Sequence, residues 1–165
     1  MIQSDIKKIV EDLIETFLDA GKISLDLREK GLTKEIKSDN TPVSNGDLEV
    51  NKILIKRISE LTPNIPIVSE ETSENKSRNN LENFWLIDPI DGTYDYINNL
   101  DEFTINAGLI IQKKPTAGLI YAPAKNRMFY SFGDDLSFEL INGKHRGRRK
   151  MGSKKRRARK KNKKK

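Results

Sequence analysis

Two aspartates three residues apart, Asp88 and Asp91, with a proline between them and a glycine and a threonine directly after, form the stretch of this sequence best suited to chemistry. The run Trp85-Leu86-Ile87 reads as the end of a buried strand, and Gly92-Thr93 as the start of a helix. Pro89 fixes its own φ and biases Asp88 toward extended backbone, so a sharp turn is expected to bring both carboxylates to one small volume. Paired carboxylates repel unless a cation lies between them. No Lys or Arg occurs from residue 81 to 101, so a metal ion is the simplest source of that charge. Gly92 allows close backbone approach and the helix start favours an anion, which makes phosphate the natural companion. A plain turn with Asp91 as helix cap is the competing reading. The spacing does not suit an EF-hand, because Ile90 and Gly92 fall where oxygen ligands are needed. Asp-Gly-Thr is not the Asp-Thr-Gly of aspartic proteases, and acids three apart fit an aspartyl-phosphate phosphatase of the haloacid dehalogenase type poorly.

Several elements must position this pair. Ile6, Ile9, Val10, Leu13, Ile14, Phe17 and Leu18 recur at helical spacing, which predicts one long amphipathic helix capped at Ser4 or Asp5 and stopped at Gly31. An extended segment over 32–37 and a turn over 38–42 precede a second helix. It starts near Ser44, buries Leu48, Ile53, Leu54, Ile58 and Leu61, and ends before Pro63. A short apolar strand over 65–68 runs into Ser69-Glu70-Glu71, and strand ends are where sheets present ligands. Glu70 and Glu71 could equally be a solvated strand end. Asp47, three after Ser44, makes a helix capping box in its plain reading. Thr93 is either a first-turn helix residue or a hydroxyl holding a water beside a metal. After a polar surface loop over 72–83 and a brief helix over 94–98, strand-like runs cover 103–111, 117–121, 127–132 and 136–141. Two helices followed by strands on short turns predict an α+β fold, with helices layered on a largely antiparallel sheet.

Composition narrows the chemistry. The chain of 165 residues has no cysteine and one histidine, His145, which excludes disulfides, thiolate catalysis, zinc-thiolate sites and histidine triads. Carboxylates, hydroxyls and main chain must therefore do the work. Charges interrupt the N-terminal segment and the longest uncharged apolar run, 103–112, is too short to cross a bilayer, so a cytoplasmic protein is expected. The net charge of +7 conceals an asymmetry: residues 144–165 hold 15 Lys or Arg and no acid, leaving 16 basic against 24 acidic residues before them.

Taken together, Trp85-Leu-Ile-Asp-Pro-Ile-Asp-Gly-Thr93 and upstream Ser69-Glu70-Glu71 resemble the signature of the inositol monophosphatase superfamily of metal-dependent, lithium-sensitive phosphatases. Asp39-Asn40-Thr41-Pro42-Val43 ahead of Asp47, Glu102-Phe103-Thr104 and Tyr121-Ala122-Pro123 are similar to its 3'(2'),5'-bisphosphate nucleotidase branch, the CysQ type. The match runs from about residue 37 to 133. The resemblance implies a layered α/β sandwich and a hydrolase that removes the 3'-phosphate of adenosine 3',5'-bisphosphate to leave AMP, within sulfur assimilation. It implies Glu70, Asp88, Asp91 and the Ile90 carbonyl as ligands of two or more Mg2+ ions inhibited by lithium. It further implies Asp47 and Thr93, with Glu70, as the catalytic set that orients the attacking water, and Gly92, Thr93 and Asp91 as substrate contacts. Magnesium suits such hard oxygen donors, and a bound ion makes water acidic without a histidine base.

Two departures qualify the reading. Tyr94-Asp95 stands where the nucleotidase branch is expected to carry Lys-Glu, which leaves an inositol or sugar phosphate phosphatase as the alternative. The second α/β lobe expected of the family has no counterpart after Gly143, where Lys-rich sequence begins. The expected organisation is thus a metal-binding phosphatase lobe over 1–143, missing its second lobe, and a disordered polybasic tail over 144–165. Such a tail could bind nucleic acid or an anionic membrane surface nonspecifically by counterion release, even in an inactive fragment, and it has no aromatic residue to stack on bases. Partners expected otherwise are a small phosphorylated substrate and, at most, a second copy in a homodimer.

Overall fold

The computed structural model describes residues 3–38, 40–72, 80–133, 136–141 and 144–150. Helix α1 (Gln3–Lys30) leads to a two-stranded ribbon, β1 (Lys34–Ile36) and β2 (Pro42–Ser44), and to helix α2 (Asn45–Leu61). A seven-stranded sheet follows in sequence order, from β3 (Ile67–Ser69) and β4 (Phe84–Asp91) through β5 (Thr104–Ile111), β6 (Lys114–Ala122), β7 (Arg127–Phe132) and β8 (Leu136–Ile141) to β9 (Lys144–Lys150). A short helix α3 (Thr93–Ile97) links β4 to β5. Among the described residues only β3 and β4 run parallel; every other neighbouring pair is antiparallel, as the run of short connections dictates.

Helices cover one face of this sheet. Val10, Leu13, Phe17 and Ala20 on α1 and Val50, Leu54 and Ile58 on α2 pack against Trp85, Ile87, Leu109, Leu119, Met128, Tyr130 and Phe132. Period 3.6 on the helices and period 2 on the strands meet in one core. The opposite sheet face leaves Leu86, Ile120 and Phe129 exposed. Helix α1 is already under way at Gln3, ahead of the cap expected at Ser4 or Asp5, and it closes on Gly31 at φ 96°.

Leu48, expected on the buried side of α2, is 49% exposed, and three larger expectations also need correction. Pro89 does not end the strand in a sharp turn, because β4 continues to Asp91 through a bulge. Asp88 pairs with Asn106 and Asp91 with Thr104, so three steps on β4 face two on β5. The bulge is where a residue without an N–H can sit inside a paired strand. It also resets the side-chain alternation, as Pro89 and Ile90 are both buried in succession. Carboxylates three apart on a regular strand would point to opposite faces, and here both lie opposite same-face residues of β5. A second difference lies at the β5–β6 connection, which is expected at Lys113-Lys114-Pro115 but closes at Gln112-Lys113. Both residues have positive φ, 51° and 61°, as a two-residue hairpin demands, and β6 starts at Lys114. The third concerns the basic stretch. Its first seven residues form β9 and pair antiparallel with β8, beyond the boundary expected at Gly143. The backbone ladder needs only N–H and C=O groups, so an unfilled sheet edge can recruit even a Lys-rich strand. The disorder expected for the rest of the tail falls on residues 151–165, and most of the surface loop expected over 72–83 falls on residues 73–79, all outside those described.

Candidate active site

The site is assembled at the β4 bulge, the turn after β3 and the start of α2. Ser44, in extended conformation at φ −120° and ψ 167°, caps α2, and its backbone N and Oγ both donate to Asp47 Oδ2, at 2.8 and 2.6 Å. The capping box is therefore real, yet it occupies only one carboxylate oxygen. Asp47 Oδ1 accepts from Thr93 Oγ1 at 3.0 Å across 46 residues, and the Thr93 hydroxyl also lies 2.9 Å from the Ile90 carbonyl oxygen. With both neighbours acceptors, the single Thr93 proton is committed to them and the lone pairs of Oγ1 remain to accept from another group.

Gly92 joins the bulge to α3. Its φ of 91° lies in the left-handed region, and a Cβ there would meet the Glu102 carbonyl oxygen at 2.7 Å. No other residue fits both restraints.

Glu70 reaches this centre by backbone pairing: its N–H donates to the Ile87 carbonyl at 3.1 Å, one residue before Asp88. Burial, then the charge and hydrogen bond of Glu70, then the charges of Asp91 and Glu71, push the Asp88 carboxyl up to about 7. Asp91 is exposed, and Asn106 Nδ2 donates to its Oδ2 at 3.2 Å. The structure thus brings together Asp47 with Thr93 and the Ile90 carbonyl, and Glu70 with Asp88 and Asp91.

Two residues escaped the sequence reading. Lys37, just after β1, supplies a cation from outside the 81–101 window. Its Nζ lies 3.4 Å from Glu70 Oε1 and 3.0 Å from Glu71 Oε1. Burial lowers the Lys37 pKa, but hydrogen bonds and charges from Glu71 and Glu70 outweigh it and raise it overall. Glu71 also sits above its usual range, because burial outweighs the attraction of Lys37. Asn106 was legible only as one position of a strand; its site role depends on register with β4.

Among the described residues no three His, Cys, Asp or Glu side chains are closed into a metal-ligating group. The donor set nevertheless fits a hard cation. Asp88 Oδ1 and Asn106 Oδ1 are buried acceptors without a hydrogen-bond partner, and buried acceptors of this kind are normally satisfied. Mutually repelling carboxylates with orphaned oxygens are what a divalent ion would relieve.

The raised Asp88 pKa makes a prediction about pH. A carboxyl that protonates more readily in the folded chain than its ordinary value near 3.8 stabilises the fold below that value, and loses this contribution as pH rises through about 7. The metal-free chain is therefore expected to melt at a lower temperature at pH 8 than at pH 5, and Asp88→Asn to flatten that slope. Identical slopes in the two proteins, by differential scanning fluorimetry, would refute the assignment.

A family model described as the inositol monophosphatase family matches residues 5–155. The chain belongs to the inositol monophosphatase family. Among curated proteins, the chain is 33% identical over 139 residues to "3'(2'),5'-bisphosphate nucleotidase CysQ" of Aggregatibacter actinomycetemcomitans, covering 83% of this chain and 52% of the relative. It is 36% identical over 122 residues to the protein of the same name from Haemophilus influenzae, covering 73% and 45%. The chain thus spans about half the length of the curated relatives it matches. Solved structures agree on the fold. A staphylococcal inositol monophosphatase, crystallised as a LiCl-soaked inhibitory complex, superposes with a TM-score of 0.71 at 18% identity, over 84% of this chain and 52% of that one. CysQ from Bacteroides thetaiotaomicron gives 0.61 at 24%, over 86% and 50%. The family's α+β architecture, with long helices on a largely antiparallel sheet, is the one described above.

Proposed function

We propose that this inositol monophosphatase family chain carries the metal-binding half of a magnesium-dependent phosphomonoester hydrolase, acting on 3'(2'),5'-bisphosphate nucleotides such as adenosine 3',5'-bisphosphate. The observation that carries the reading is the joining of Asp47 to Thr93, next to a cluster of Glu70, Asp88 and Asp91 in which burial and the neighbouring carboxylates push the Asp88 carboxyl up to about 7. Relatives named as CysQ nucleotidases support the substrate class.

Glu70, Asp88, Asp91 and the Ile90 carbonyl would hold Mg2+. When bound, the ion supplies Lewis-acid charge that makes water acidic and offsets the negative charge of a phosphoryl group. The chain's own residues then orient the reactants. Asp47 takes the Thr93 proton in a hydrogen bond, so Thr93 Oγ1 can accept only from the attacking water and thereby sets its line of approach to phosphorus. Glu70, beside Asp88, would accept the water's other proton. The Gly92 and Thr93 backbone amides supply phosphate contacts at a point where no side chain intervenes. Asp91, Gly92, Asp95, Glu102, Phe103 and Lys125 border a groove of about 360 Å3 next to the bulge, where the rest of the substrate would lie.

An inositol or sugar phosphate is the second reading, favoured by Tyr94-Asp95 after Thr93; Asp95 lines that groove. No described helix is long and apolar enough to cross a membrane. The proposed nucleotidase activity would serve sulfur assimilation in the cytoplasm.

Phosphate release by the full chain from adenosine 3',5'-bisphosphate and from inositol 1-phosphate tests the proposal. The expected result is release that requires Mg2+, stops with EDTA or lithium, and has the higher kcat/KM for the nucleotide. A higher kcat/KM for the inositol phosphate would transfer the assignment to the second reading, and no metal-dependent release from either would overturn both.

A further inference from the structure

We infer that Asn106 is a fourth side-chain oxygen donor of the cation site and the residue that positions Asp91 within it. The inference rests on the metal-dependent reading above and extends it to a residue on a different strand, one that is neither acidic nor part of the Asp-Pro-Ile-Asp-Gly-Thr run.

The argument starts from register. Asn106 lies directly opposite Asp88 in the β4–β5 ladder, and the bulge that follows puts Asp91 opposite Thr104, two residues away on the same face of β5. A single amide is therefore flanked by both aspartates. Its Nδ2 donates to Asp91 Oδ2 at 3.2 Å. Its Oδ1, at the other end of the same planar group, is buried and has no partner. The residue across the ladder repeats the pattern, since Asp88 Oδ1 is likewise buried and unpartnered.

Orphaned acceptors on these two facing residues cannot satisfy each other once Asp88 is ionised, because neither oxygen then carries a proton. They require a shared donor or a cation. No Lys or Arg lies between residues 81 and 101, and Lys37 is engaged with Glu70 and Glu71. A hard divalent ion, taken directly or through one of its waters, answers both oxygens, as amide carbonyls commonly do in such sites. The amide N–H holds Asp91 by a hydrogen bond, the kind of outer contact that orients a ligating carboxylate.

An asparagine kept for packing and one kept for a cation differ in a measurable way. If Asn106 serves the ion, its unpartnered oxygen is a liability in the metal-free chain, and an apolar replacement removes it. Asn106→Leu is therefore expected to melt no lower than wild type without metal, yet to bind Mg2+ at least tenfold more weakly by isothermal titration calorimetry and to gain a smaller melting shift on Mg2+ addition. Asn106→Ala, smaller and without steric demand, is expected to weaken Mg2+ binding equally.

Variants that bind Mg2+ as wild type does would overturn the inference while leaving the metal site intact. A metal-free melting temperature several degrees below wild type for both variants, with Mg2+ affinity kept, would assign Asn106 a packing role and overturn it too. Failure of wild type itself to bind Mg2+ would overturn the metal-dependent reading and this inference with it. The three results are distinct in the same titrations.

Discussion

Asp91→Asn is expected to lower the proposed magnesium-dependent phosphate release by about a thousandfold, the order lost when a group that stabilises transition-state charge is removed. The substitution changes no volume and removes one negative charge from the bulge. Asp91 is exposed and accepts an exposed hydrogen bond from Asn106, which the introduced amide could also accept. Relief of its repulsion on Asp88 should let the Asp88 carboxyl ionise more easily, which favours the folded metal-free chain. Activity and stability must then move in opposite directions: phosphate release collapses while the melting temperature holds or rises. Retained activity in a folded Asp91→Asn protein would remove this carboxylate from the mechanism.

The second large effect is on stability. Trp85→Ala is expected to cost about 3–5 kcal/mol in urea unfolding, as deletion of a large core aromatic does. Trp85 is fully buried on β4, where its Nε1 donates to Thr62 Oγ1 at 3.0 Å, and Thr62 Oγ1 in turn donates to the Ile58 carbonyl at 2.8 Å. The ring thereby ties the C-terminal end of α2 to the strand that carries Asp88. Its loss removes apolar burial and leaves the Thr62 oxygen without its donor. A domain stable by about 5–15 kcal/mol would lose a large part of its margin. Because Trp85 is the single tryptophan, circular dichroism must follow the transition in place of fluorescence. Trp85→Phe, which keeps most of the volume, should cost clearly less. A change below about 1 kcal/mol for the alanine variant would mean that the cavity collapses freely, contrary to close packing in cores.

Much of the site was legible before any fold was known, because its chemistry depends on residue type and short spacing. Asp88, Asp91, Gly92 and Thr93 fall within six residues, and Ser44 and Asp47 lie within one helical turn. The capping box was predicted as the plain reading of Asp47 and is present; the contact to Thr93 was implied by resemblance and is present as well. Both hold at once because a carboxylate has two oxygens. The helices and the four strand runs after α3 were also readable, as periodicity records which face of an element is buried.

Lys37, Asn106 and the bulge were not readable in the same way. Lys37 meets Glu70 and Glu71 across more than thirty residues, and Asn106 meets Asp91 only through strand register. A search for cations within the local window could not find the first, and alternation along β5 could not single out the second. Pro89 suggested a turn, since proline often ends strands; pairing with β5 absorbed it as a bulge. The basic residues after Gly143 read as solvated tail because charge runs repel, yet β9 forms from backbone groups, to which composition is nearly blind.

Sequence by itself determined which groups could act here, since carboxylates, one threonine hydroxyl and a glycine are covalent facts, and it determined the helical and strand periods that bury the core. Tertiary structure alone decided which of those groups meet. A one-residue bulge chose the face that Asp91 shares with Asp88, and register chose Asn106 as their neighbour, because contacts between distant segments follow from pairing and packing geometry that no local pattern encodes.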